Sequence, residues 1–96
     1  MSYRVSIKDL EIRVAHINEA TGMPAAPYTK GKDGKFHCNI GNYHLSQAYG
    51  GVCVHQMSNE NGGVREPIWS GHVPKREALE RLSAFIRGMD TKQKTS

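Results

Sequence analysis

The sequence predicts an α+β fold in the order α-β-β-β-α, with an antiparallel sheet of three to four strands and two helices packed on one of its faces. Three observations predict it. Apolar residues recur at helical spacing near both ends of the chain. Residues 35–69, between those ends, hold nearly all the strand-like alternation and both cysteines. Within that stretch Asn61-Gly62-Gly63 is a hairpin signal, because a type I′ turn needs positive φ at both central residues.

The first helix is expected over residues 7–20. Ser6 stands at the N-cap position and Asp9 three residues on, an acidic form of the capping box. Ile7, Leu10, Val14 and Ile17 make one apolar stripe. Gly22 suits the left-handed residue after a helix, and Pro24 prevents resumption. Tyr3 and Val5, ahead of the helix, suit a short edge strand. Residues 23–34 read as a polar basic loop with a turn at Asp33-Gly34.

Phe36, Cys38 and Ile40 then alternate with His37 and Asn39, which predicts a strand. Tyr43 and Leu45 resume the alternation, and residues 48–51 form a turn or bulge. In the next strand Val52 and Val54 face one way, and Cys53, His55 and Met57 the other. Both sets are partly apolar, so this strand is expected at the centre of the sheet. Residues 64–69 return as a strand, at an edge or with a bulge, because Pro67 has no N–H to donate. Pro74 opens the second helix, Leu79, Leu82 and Ile86 form its stripe with Ala78 and Phe85 beside them, and Gly88 ends it.

The 96 residues make one domain, residues 1–90, followed by a polar tail at 91–96 that is expected to be disordered. Mean hydropathy is −0.59 and charged residues make up 23%, which implies a thin core and generous loops. The net charge of +4 permits contact with phosphates or an acidic protein face and requires neither. No apolar run approaches the ~20 residues of a membrane span. The N-terminus lacks a signal-peptide h-region, so no membrane association and a cytoplasmic location are expected.

The chemistry-bearing residues give no motif. Cys53 and His55 share a strand face, but no C-x₂₋₄-C or H-x₃₋₅-H spacing is present. Neither a metal nor any other cofactor is expected. The cysteines read as reduced, buried core residues. No aspartate is placed to orient a Cys-His pair, and no glycine loop has phosphate-binding spacing. No catalytic residue is therefore assigned and an enzyme is not expected. Lys75 and Arg76 sit in the first turn of helix two, where cations oppose the dipole and a bound anion would offset them.

Two resemblances add to this. Helix, three strands, helix is the order of the double-stranded-RNA-binding domain. The stretch Gly71-His72-Val73-Pro74-Lys75-Arg76-Glu77-Ala78 resembles that family's glycine turn leading into a basic helix start. The resemblance gives Lys75 and Arg76 the place of its phosphate-binding cations, although Leu79 stands where the family has a further lysine. Separately, the run Gly41-Asn42-Tyr43-His44-Leu45-Ser46, with Ala48-Tyr49-Gly50-Gly51-Val52, Gly62-Gly63-Val64, Gly71-His72-Val73-Pro74 and Ala84-Phe85-Ile86, is similar to small proteins of tailed bacteriophages and prophages. That likeness implies an accessory protein made in the host cell, of a kind that often inhibits or redirects host machinery, including host defence.

The expected function is non-enzymatic binding of a host or phage protein, with Tyr49 and Trp69 as surface residues for the contact. The alternative is nucleic-acid binding through Lys75, Arg76, Lys30 and Lys32. A continuous positive stripe from helix two to the loop near Lys30 favours nucleic acid, and an exposed apolar patch favours a protein.

Overall fold

The computed structural model describes residues 4–95, with side chains described through residue 90. Helix α1 spans Ile7–Thr21 and helix α2 Lys75–Thr95. Between them lie five strands: β1 (Tyr28–Lys30), β2 (Phe36–Cys38), β3 (Tyr43–Ala48), β4 (Gly51–Met57) and β5 (Val64–Arg65). They form two antiparallel sheets, a two-stranded β1-β2 and a three-stranded β3-β4-β5. The α+β class and the helix–strands–helix order are as the sequence predicts.

Helix α1 forms for the reasons its sequence gives. Ser6 and Asp9 make a complete capping box, and Gly22 closes the helix at φ 70. Leu10, Val14 and Ile17 are buried, with Ile7 packed against them. Cross-strand partners share a face, so the register Leu45↔Val54 and Gln47↔Val52 puts these side chains on the face carrying α1 and α2. His44↔His55 and Ser46↔Cys53 occupy the opposite face. Strand β4 is central, as its two partly apolar faces predict. Leu82 and Ala78 of α2 are fully buried in the same core.

Two buried asparagines tie the layers together. The Asn18 side chain donates from Nδ2 to the Tyr43 carbonyl (2.9 Å) and accepts the Tyr43 N–H at Oδ1 (2.8 Å). Asn42, 0% exposed, donates to the Pro24 carbonyl at 2.8 Å.

Several sequence expectations are corrected. The basic loop contains a strand, β1, which pairs with β2 as Tyr28↔Cys38, Thr29↔His37 and Lys30↔Phe36. All three β1 residues are exposed, so no burial alternation marks the strand. Correspondingly, residues 36–40 do not join the main sheet: β2 ends at Cys38, and Phe36 is 70% exposed. The hairpin predicted at Asn61-Gly62-Gly63 forms, joining β4 to β5, but the type I′ geometry lies at Tyr49-Gly50 (φ 54 and 73); Tyr49 is the one non-glycine residue at positive φ among those described. The Asn61 and Gly63 amides instead donate to the Asn59 side chain. Strand β5 stops after Arg65, ahead of Pro67, and Val73 completes the edge by exchanging two backbone bonds with Val52 (2.8 and 2.9 Å).

Helix α2 starts one residue after Pro74, whose carbonyl accepts the Ala78 N–H, and it continues through Gly88 to Thr95. Glycine lowers helix stability without forbidding it. The Glu77–Arg81 pair forms at 3.6 Å on the exposed side. Residues 4–6 are not a strand, although Val5 is buried; Tyr3 and Ser96 lie outside the described residues.

Two substitutions test this packing. Leu82→Ala is expected to cost about 2–5 kcal/mol, as for other fully buried leucines. Asn18→Ala leaves both Tyr43 backbone groups without partners and is expected to cost about 2–4 kcal/mol. Urea denaturation midpoints read both. An unchanged midpoint for Leu82→Ala contradicts the α2 stripe, and one for Asn18→Ala contradicts the clamp.

Candidate functional site

Two surfaces of the domain carry more chemistry than folding requires. The first is the β1-β2 hairpin. Its turn is held locally: the Gly31 amide donates to the Lys35 carbonyl at 2.8 Å, and the Lys35 amide to the Asp33 carboxylate at 3.0 Å. That amide, and then His37 at 3.3 Å, hold the Asp33 pKa below its ordinary value. The register and alternation place Tyr28, Lys30, Phe36 and Cys38 on one face of the ribbon. Tyr28 is 50% and Phe36 70% exposed, and together they line a shallow apolar hollow. Lys30, Lys32 and Lys35 are exposed beside them.

The hairpin is rooted at one corner of the domain. Asn39 donates its side-chain amide to the Ala26 carbonyl (2.9 Å) and to the Thr29 hydroxyl (2.7 Å), and the Gly41 amide donates to the Met57 carbonyl. Met23 and Ile40, both at this root, are also exposed.

The second surface is the sheet face turned away from the helices. His44 and His55 oppose each other across β3 and β4, with ring centroids 5.8 Å apart. His72, from the segment before α2, packs edge-on against His55 at 6.1 Å and against Tyr49 at 5.9 Å. Its Nε2 lies 3.1 Å from the Ser46 hydroxyl. Cys53 is beneath this group, 0% exposed, and its thiol donates to Glu66 Oε2 at 3.3 Å. The Gly71 amide also donates to Glu66 Oε2. Cys53, His55 and Glu66 bring one donor atom each to within 4.8 Å of one another.

The electrostatics of this face are those of a reduced, closed site. Burial, and then the neighbouring Glu66, push the Cys53 thiol up to about 11. The Gly71 amide and then the Cys53 thiol hold the Glu66 carboxyl below its ordinary value. Burial, then the His55 ring, lower the pKa of His44. A nucleophilic cysteine needs an open setting and a depressed pKa. Cys53 has neither, and its proton is directed to Glu66, so the Cys-His-Glu grouping is not arranged for thiolate attack.

The residues singled out in the sequence are spread over the domain. Tyr49 is 97% exposed at the β3-β4 turn. Trp69 is 6% exposed and belongs to the core, which corrects its expected place on the surface. Lys75 and Arg76 are exposed in the first turn of α2, with Lys75 near Ile7 and Gly50. Lys30 and Lys32 are in the hairpin, rooted beyond the other end of α1. The 15 residues of α1 correspond to roughly 22 Å of helix, so the two pairs of cations do not form one stripe. Sequence reading missed Tyr28, Phe36, Glu66 and His72. Tyr28 and Phe36 flank the Gly31–Gly34 turn as diagonal neighbours on one face, each opposite a different partner, Cys38 and Lys30.

Compared with known proteins, the chain matches no family model, no curated protein and no solved structure.

The two cysteines differ in a measurable way, since Cys38 is half-buried and Cys53 fully buried. Under native conditions near pH 8 iodoacetamide is expected to alkylate Cys38 and spare Cys53, with both modified in denaturant. Mass spectrometry of the peptides reads the outcome. Native alkylation of Cys53 at the rate of Cys38 contradicts the closed geometry.

Proposed function

We propose that this protein is a non-enzymatic binding module that docks on another protein through the β1-β2 hairpin. The observation that carries the reading is the pair Tyr28 and Phe36, exposed on one face of the two-stranded ribbon. A two-stranded ribbon gains little stability from aromatics left in water. Aromatics with this exposure, gathered in one patch, suit an interface core. Met23 and Ile40 extend the apolar surface at the hairpin root.

Charge defines the partner's complementary surface. Lys30, Lys32 and Lys35 border the aromatics, so the fitting partner presents an apolar groove with an acidic rim. The likeness to small phage proteins makes a bacterial host protein or a phage protein the first partner to test, with inhibition of host machinery, including defence, as the expected consequence.

A second reading has one observation in its favour. Lysines interleaved with exposed aromatics also suit single-stranded nucleic acid, whose bases stack on such rings. The separation of Lys75 and Arg76 from the hairpin weighs against a duplex tracked across the whole domain.

Tagged protein incubated with bacterial lysate, with and without nuclease, separates the readings. The expected result is a nuclease-resistant protein partner whose binding Tyr28→Ser and Phe36→Ser together weaken by at least ~10-fold, as loss of interface anchors does. Thermal stability is expected to stay near that of the unmodified protein, because both side chains are exposed. Capture that ignores the hairpin substitutions overturns the proposal. Capture abolished by nuclease, with saturable, salt-sensitive binding of a labelled oligonucleotide, establishes the second reading instead.

A further inference from the structure

We propose that Cys53, His55 and Glu66 form a binding site for one divalent transition-metal ion of the zinc class, on the sheet face turned away from the helices. Three features point to it. The first is donor type. A thiol, an imidazole and a carboxylate are the side chains that bind zinc, whereas calcium and magnesium sites are built from oxygen. The second is spacing. Tetrahedral zinc with bonds of about 2.0–2.3 Å separates neighbouring donors by roughly 3.3–3.8 Å. Cys53 Sγ and Glu66 Oε2 already stand 3.3 Å apart, and all three donor atoms fall within 4.8 Å. The third is support. The Gly71 amide fixes the Glu66 carboxylate from outside the cluster, as second-layer partners of metal ligands do.

The alternative role for this group is packing, which a buried cysteine fills as a small hydrophobe. Packing alone does not call for a carboxylate on the sulfur or an imidazole two residues along the same face. Three protein donors leave a fourth position open, and His72, whose ring lies 6.1 Å from that of His55, is the nearest further imidazole. On binding, the Cys53 S–H bond breaks, its proton leaves to solvent, and the sulfur becomes a thiolate ligand. The site shares no residue with the hairpin, so the inference stands apart from the docking proposal.

Cobalt(II) is the probe, because it occupies zinc sites and a thiolate ligand gives it a charge-transfer absorption band. Titration of reduced, metal-free protein is expected to show this band saturating at one cobalt per chain, and zinc is expected to remove it. Cys53→Ser is expected to abolish the band, and Cys38→Ser to preserve it. Cys53 is buried, and its replacement can impair folding. Glu66→Gln, at an exposed position, provides the independent arm and is expected to weaken cobalt binding at least ~10-fold while circular dichroism stays unchanged. No charge-transfer band in the folded protein overturns the proposal. So does a band that survives Cys53→Ser and disappears with Cys38→Ser, or cobalt affinity unaltered by Glu66→Gln in folded protein.

Discussion

The amide of Asn18 holds the architecture together. Strand β3 is an outer strand of its sheet, and at Tyr43 its backbone N–H and C=O point away from β4. Asn18 meets both groups with one side chain, at 2.8 and 2.9 Å, as a neighbouring strand would. The last turn of α1 is thereby fixed to the first residue of β3. Asn42, one residue earlier, holds the chain leaving α1 through the Pro24 carbonyl. Helix end, strand start and hairpin root thus meet at one corner, and a buried amide is costly there unless every bond is made. The apolar stripes of α1 and α2 supply most of the burial, but they tolerate rotation and sliding. Directional bonds to Tyr43 do not, which is why they set the register of helix on sheet.

How much of this was legible in the sequence follows from where burial is asymmetric. Both helices carry one-sided stripes and were readable, as was the capping box of α1. Strand β4 declared itself central because Val52 and Val54 on one side and Cys53 and Met57 on the other are all buried. Strand β1 was not readable, since Tyr28, Thr29 and Lys30 are all wet and a strand without a buried face has no period. The Asn61-Gly62 signal placed the β4-β5 hairpin correctly but not its turn type, because Asn59 offered the local amides a side-chain acceptor, a competition that turn statistics do not weigh. Gly88 misled because a glycine ends a helix only where the chain turns.

The functional surfaces show the same divide. Cys53 and His55 were identifiable as neighbours on one face from their spacing alone. Glu66 was not, because it reaches them from the irregular segment after β5, which looks like strand until Pro67 ends the pairing. His72 arrives from still further along the chain, through the bridge between Val73 and Val52. Trp69 was expected at the surface. Here it is buried in the core beside Cys53, and Tyr28 and Phe36 are the exposed aromatics of the hairpin.

The hairpin's shallow attachment has an evolutionary consequence. Its outer residues touch solvent, its turn is closed by its own amides and Asp33, Asn39 braces its base, and its root is held to the domain at Gly41 and Asn42. Side chains on its face can therefore change while the core and the Asn18 clamp stay the same. A domain built this way can drift quickly in specificity and slowly in structure. Across lineages, sequence should diverge fastest between residues 28 and 37 while Asn18, Asn39 and Asn42 persist, the pattern of a fixed scaffold carrying a replaceable fingertip.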